Sequence, residues 1–343
     1  MSIPQFRIKD AVGIVTLCIK ANQPCLIVGA PGIGKSDIVN QIRLNLGMDL
    51  ILTHPVVSDP LDAKGLPHAY QNATTGEVLA DFIPYGDLRY AMSAKKPTLW
   101  FIDDLGQAPP AVQAAFMQLL LAREVNGKAI SHHIRFVAAT NGRQHRANVT
   151  GILEPVKSRF GSIFELVPNI DDFCDFAYKV KMLPAIPAFL RFDTPRLFDF
   201  NANADMEQNP SPRTWHKLSD ILKEMGTTLP HLRQKVVASA VGEGAALAYC
   251  TFEKIKLPDI DMLIKYPDTF PPTTAPDVLY AMASSIAIRT TLQNIDNVVH
   301  LAGKFPRQMG AMMMNDARSV CPDIDLTDAF GRWSEAITPS FIS

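Results

Sequence analysis

No stretch of the 343 residues is apolar for long enough to cross a bilayer as a helix, so an integral helical membrane protein is not expected. The opening residues, MSIPQFRIKD, lack a basic segment followed by a long apolar core, so no export signal is expected either. Charge of neither sign dominates. The formal net charge is −1, which argues against a dominant nucleic-acid role while leaving a local basic patch open. Cysteine is scarce: Cys18, Cys25, Cys174, Cys250 and Cys321 lie far apart with no paired-ligand spacing, and several sit in apolar segments. That usage points to buried thiols in a reducing cytoplasm. His54, His68, His132 and His133 make no metal-binding pattern, and there is no internal repeat or low-complexity tract. What is present is an ordinary globular composition, 47% hydrophobic and 20% charged, with length enough for two or three domains.

Apolar spacing organises the chain into two halves. IKDAVGIVTLCIKAN reads as a helix, and the short unbroken run CLIV suits a parallel strand buried on both faces. KSDIVNQIRLNLG then places Ile38, Ile42 and Leu46 on one helical face, with Gly47 positioned as a C-terminal cap. Further short apolar runs, LILT, TLWFID, IRFVAAT and IFELV, are separated by helical patterns such as PPAVQAAFMQLLLARE. Strands alternating with helices imply a parallel sheet flanked by helices. Two polar excursions interrupt it: HAYQNATTGEVLADF, and REVNGKAI with its Asn126-Gly127 hairpin signal. Beyond about Pro168 the periodicity turns helical and prolines punctuate it, so an all-helical C-terminal half is expected. Within it, VGEGAALAY is read as helix, its glycines serving close packing, and the methionine cluster MGAMMMND as core, with an adaptable contact surface as the alternative.

GAPGIGKS, Gly29 to Ser36, fits the phosphate-loop pattern G-x-x-x-x-G-K-[ST] between a strand and a helix. Average residue usage makes a chance match in a chain this long about a one-in-a-hundred event. Glycines let successive N–H groups turn toward phosphate oxygens, and the following helix adds positive potential at its N-terminus. The expected nucleotide contacts are Gly29, Ala30, Pro31, Gly32, Ile33, Gly34, Lys35, Ser36 and Asp37, with Lys35 reaching the outer phosphates and Ser36 ligating magnesium. TLWFIDDLG carries Asp103 and Asp104 to the exit of a buried strand, where open α/β sheets bind ligands. Asp103 would hold magnesium and Asp104 would polarise the attacking water; the competing reading is an N-cap pair opening the next helix.

Taken together, GAPGIGKS, FIDDLGQAPPAVQAAFMQLLLAREVNG, AATN and EPVKSRF resemble the AAA+ ATPases, and most closely their MoxR-like branch, over most of Ala21 to Trp215. The fold this implies is an α/β P-loop NTPase core with a parallel sheet, over residues 1–168, followed by a helical lid over 169–255 and a C-terminal helical extension over 256–343. The chain departs from the family at Asp104, where glutamate is more usual; the shorter side chain leaves slower turnover, or binding with little hydrolysis, as an alternative. By the same resemblance Asn141 matches the first sensor, Arg159 an arginine finger inserted into a neighbouring subunit, and Arg213 a second sensor at the start of a lid helix. Asn141 also reads as a turn residue, Arg143 and Arg146 compete with Arg159 for the finger, and Arg213 also reads as a solvated helix-start residue. SDPLDAKGLP and the hairpin after it resemble segments that touch a partner, although ordinary surface loops have the same composition.

The resemblance therefore implies a cytoplasmic, Mg2+-dependent, ATP-hydrolysing ring, expected as a hexamer, that remodels or activates a protein client. A partner carrying a von Willebrand factor A domain is implied by the resemblance alone. A nucleic-acid-directed motor or loader, a small-molecule kinase and a nucleotide-gated scaffold are the alternatives. Nothing in the sequence points to nucleic acid, and no motif marks the residues after about Lys256.

Overall fold

The computed structural model describes residues 3–142, 151–200, 208–272 and 275–337. Its contacts divide the chain into two compact units, Met1–Val167 and Pro168–Ser343. The first unit starts with β1 (Gln5–Phe6), α1 (Ile8–Lys20), β2 (Cys25–Val28), α2 (Lys35–Asn45) and β3 (Asp49–Thr53). A short α3 (Pro60–Lys64), the hairpin of β4 (Leu66–Gln71) and β5 (Val78–Ile83), and α4 (Gly86–Ser93) lead to β6 (Thr98–Ile102). The unit closes with α5 (Pro110–Ala122), a small hairpin of β7 (Glu124–Val125) and β8 (Lys128–Ala129), β9 (Ile134–Thr140), α6 (Glu154–Lys157) and β10 (Ser162–Leu166).

Six strands form one sheet in the order β1-β10-β2-β9-β6-β3, with every neighbouring pair parallel. β6 is buried along its whole length and β2 along all but its last residue. That explains why their sequences are continuous apolar runs rather than alternating ones. One face packs Trp100 against Phe116 and Phe136, with ring centroids 6.3 and 5.5 Å apart. The polar tip of the buried Trp100 is satisfied, since its Nε1 donates to Thr53 Oγ1 at 2.9 Å. The chain passes from β2 over β9 and β6 to β3, while β10 returns to the other side of β2. The loop after β2 therefore opens where the strand order reverses, at the carboxyl ends of the strands. The fold class is the expected one, a parallel sheet flanked by helices and followed by a helical unit.

Both polar excursions are hairpins. In the smaller one Asn126 and Gly127 have φ of 51° and 73°, the backbone a two-residue primed turn demands. The larger is exposed on both faces, and Lys128 Nζ meets Asp81 Oδ2 at 2.6 Å to tie the two hairpins together.

The second unit is helical among its described residues: α7 (Ile170–Lys179), α8 (Ala185–Phe192), α9 (Pro212–Met225), α10 (Arg233–Val241) and α11 (Glu243–Phe252). These are followed by α12 (Ile260–Lys265), α13 (Pro276–Ile288), α14 (Ile295–Ala302), α15 (Arg307–Val320) and α16 (Asp328–Ile337). Residues 169–255 and 256–343 fall in this one unit. Each has its own apolar cluster, but buried polar bonds cross between them. Arg191 on α8 pairs with Asp316 on α15 at 2.5 Å, and Tyr178 on α7 donates to the same carboxylate at 2.9 Å. Met313 and Met314 are core, while Met309 and Met312 line a surface cleft of ≈ 320 Å³.

Two local expectations are corrected. VGEGAALAY is not one helix: Gly242, at φ 81°, ends α10 and starts α11. Nor do all the cysteines stand apart. Cys18 and Cys25 share a hydrogen bond, which brings the half-buried Cys18 thiol down to about 7 while the buried Cys25 is pushed up. The sharp turn through Asn22, at φ 55°, folds the end of α1 back toward β2 and makes the pairing.

Candidate active site

The phosphate-loop residues lie between β2 and α2. Gly32 and Gly34 have φ of 80° and 98°, which a residue with a Cβ adopts only under strain. Helix α2 starts at Lys35 with Gly34 as its N-cap and no side chain capping it. Its N-terminal potential is thus presented to an outside acceptor. Lys35 is only 7% exposed. Its Nζ donates to Gly29 O and Ala30 O, both at 3.0 Å, and to Asn141 Oδ1 at 2.7 Å. Pro31 and Ile33 complete the loop, and Asp37 is exposed in the first turn of α2.

The exits of β6 and β9 supply the acids and the amide. Asp103, 8% exposed, accepts from Ser36 Oγ at 2.8 Å through Oδ2 and from the Asp104 amide at 3.0 Å through Oδ1. A hydroxyl paired with a buried carboxylate is a hard oxygen donor set suited to magnesium. Among the described residues the Asp103 and Asp104 carboxylates stand beside the Lys35 ammonium, and a divalent cation would offset their charge toward a triphosphate. Ser36 and Asp103 therefore fit the metal expected of them.

Asp104 adopts a left-handed backbone, φ 58° and ψ 33°. It is the N-cap residue of the short 3-10 turn that follows, Leu105–Gln107, but its side chain makes no capping bond there. Its Oδ1 accepts from Gln107 Nε2 at 2.8 Å and, more weakly, from Asn141 Nδ2 at 3.4 Å. Burial chiefly, and then the neighbouring Asp103 charge, raise its pKa, against the pull of Lys35 and Gln107. A carboxylate held by an amide and set beside a lysine-bearing loop is equipped to take a proton from water.

One hydrogen-bonded chain thus runs from Lys35 through Asn141 to Asp104 and on to Gln107, and the Asp104 amide links it to the Ser36–Asp103 pair. Arg159 is outside it. It lies half-buried between α6 and β10, with Nη1 bonded to Ser158 Oγ at 2.7 Å, and Nε buried without a partner among the described residues. Arg213 belongs to the second unit, exposed as the second residue of α9. Arg143 and Arg146 lie outside the described residues. Sequence reasoning missed Gln107 and its anchor, since Thr140 Oγ1 donates to Gln107 Oε1 at 3.2 Å. The available signal was position: a polar residue three places after Asp104 lies over it in a tight turn.

No family model matches the sequence, and neither does any curated protein. Among solved structures, a variant of RuvB from Thermotoga maritima is 17% identical, over 81% of each chain, with a TM-score of 0.42. The RuvB Holliday junction branch migration motor of the same organism is 18% identical over 81% of this chain and 80% of its own, at a TM-score of 0.39. A putative ATPase from Cytophaga hutchinsonii is 13% identical over 93% of this chain and 82% of its own, at 0.36. At such distances the fold rests on the strand order and loop geometry of the chain itself. Among the described residues, no helix is long and apolar enough to cross a membrane.

Proposed function

We propose that this chain is a magnesium-dependent ATPase of the AAA+ kind, hydrolysing ATP to ADP and phosphate. The observation that carries the reading is the convergence of Lys35, Asn141 and Asp104, beside the Ser36–Asp103 pair, at the carboxyl ends of parallel strands. Lys35 and the uncapped start of α2 hold the phosphates, and Ser36 with Asp103 holds magnesium. When bound, that ion neutralises phosphate charge and polarises the transferring group. Asp104 takes the proton of the attacking water, and Asn141 sits between Asp104 and Lys35, placed to respond to both. ATP is preferred among nucleotides on the sequence resemblance alone.

Assembly is the second part of the proposal. Arg159 makes no bond within the Lys35–Asn141–Asp104–Gln107 network, which is the arrangement a residue serving a neighbour's site requires. Donated in trans, its guanidinium would neutralise charge developing on the transferring phosphoryl group, and only an assembled ring would turn over quickly. Arg213 would link nucleotide state to the position of the helical unit. Motion of such a ring would remodel or activate a protein client, in the manner of the MoxR-like branch, with a von Willebrand factor A domain protein as partner. The balanced charge of the chain favours this over a nucleic-acid motor.

Phosphate release from Mg-ATP tests the core of the reading. Asp104→Asn is expected to keep nucleotide binding while turnover falls about 100-fold or more, the scale of a lost general base. Unaltered turnover in that variant removes Asp104 from the chemistry.

A further inference from the structure

We infer that Gln107 is a positioning residue for Asp104, clamping one carboxylate oxygen so that the other faces the water; this rests on the ATPase reading above. Asp104 starts a 3-10 turn in which residues three apart lie one over the other. The turn is closed by the Gln107 amide donating to Asp104 O at 3.0 Å. The Gln107 side chain follows the same direction and reaches Oδ1 at 2.8 Å.

The orientation of that amide is chemically determined. An ionised carboxylate only accepts, so the NH2 of Gln107 must face Asp104 and the carbonyl must face the other way. There Oε1 meets the hydroxyl of Thr140, which is 4% exposed and held in β9 and whose single proton is shared between Oε1 at 3.2 Å and the Asn141 carbonyl at 3.3 Å. Gly106 permits the close approach: a Cβ on it would lie 3.4 Å from Thr140 Cβ and closer still to the hydroxyl. The clamp therefore runs from a buried strand, through Thr140 and Gln107, to the reacting carboxylate. Oδ1 is taken by Gln107 and Asn141, and among the described residues no donor reaches Oδ2. That leaves Oδ2 to act as the base.

The clamp also answers the departure at Asp104. Aspartate has one fewer torsion than glutamate and less reach, so its oxygens must be set by their surroundings. The left-handed backbone aims the side chain and Gln107 fixes its rotation. Gln107 makes no hydrogen bond to the phosphate loop or to the Ser36–Asp103 pair, so its loss should affect rate and not nucleotide affinity.

Three variants of the full chain test this, with Asp104→Asn run in parallel. Binding is read with a fluorescent ATP analogue, and kcat and KM by phosphate release. Gln107→Ala is expected to bind Mg-ATP within about twofold of the parent and to lose roughly tenfold in kcat, the scale of a slightly misplaced catalytic group. Gln107→Glu keeps the shape but sets carboxylate against carboxylate, so it should lose at least as much. Thr140→Val removes the anchor, and combined with Gln107→Ala it should lose no more than Gln107→Ala alone, since both act through one contact. Parent-like kcat in Gln107→Glu overturns the inference, as does a loss in Gln107→Ala that appears in KM rather than kcat. If Asp104→Asn abolishes turnover while the Gln107 variants retain it, the inference alone is wrong. If Asp104→Asn turns over normally, the ATPase assignment of Asp104 fails and the clamp with it.

Discussion

Lys35 carries a charge into a site where it is only 7% exposed and where three oxygens, two of them carbonyls of its own loop, accept its hydrogen bonds. A charge-assisted hydrogen bond contributes about 1.5–3 kcal/mol, so transferring this ammonium to phosphate is worth one to two orders of magnitude in affinity. Lys35→Ala is accordingly expected to weaken Mg-ATP binding by roughly 100-fold, read by titration with a fluorescent analogue. Parent-like affinity would remove the loop from nucleotide binding. The Cys18–Cys25 pair titrates independently of nucleotide. Because the hydrogen bond from Cys25 is the largest cause lowering Cys18, the Cys18 thiolate predominates above about 7. Iodoacetamide labelling of Cys18, followed by peptide mass spectrometry, should therefore rise through a midpoint near pH 7, where an isolated thiol would need about pH 8.5. Cys25→Ala should move that midpoint upward; an unmoved midpoint would mean that Cys25 does not hold the thiolate.

Elements were legible in the sequence wherever local spacing determined them. β2, the loop and α2 follow from a glycine pattern set between an apolar run and a helical one, and Gly47 does take the positive φ, 62°, expected of a helix stop. α9 is also set locally: Ser211 and Thr214 form a reciprocal capping box, and Pro212 occupies the first turn. Replacing Ser211 by Ala should lower the stability of the helical unit by about 1 kcal/mol, read as a smaller urea midpoint at unchanged slope. No change would mean that Thr214 and Pro212 suffice to start the helix. What the sequence did not show depended on contacts between distant elements. Gln107 gains its role from Thr140, 33 residues away on β9. The Cys18–Cys25 pair arises from a turn that no spacing rule announces. The buried Arg191–Asp316 pair joins residues 125 apart in stretches that sequence alone divided into lid and extension. Periodicity reports which face of an element is buried and is silent on what lies across from it.

For the whole molecule, the deciding matter is whether one chain contains a finished active site. Within one chain Lys35, Ser36, Asp103, Asp104 and Asn141 are bonded together, and Arg159 is bonded instead to its neighbour Ser158. If Arg159 serves the next subunit, successive copies meet through unlike surfaces, and such head-to-tail contacts form a ring where their rotation closes. Arg159→Ala should then bind ATP normally and lose about 1,000-fold in turnover, the scale of a missing finger. Asp104→Asn should be equally inert. Mixing the two separates the cis and trans arrangements. In a randomly mixed ring at equal ratio, half of all sites keep Asp104 and half of those face a neighbour that keeps Arg159, so roughly one quarter of the sites are complete. Phosphate release from the mixture should rise to about that fraction of the parent rate if sites act independently, and it should fall on dilution as rings dissociate. If each chain completes its own site, no mixed ring contains an intact one, and the mixture stays as inactive as its components at every ratio and concentration.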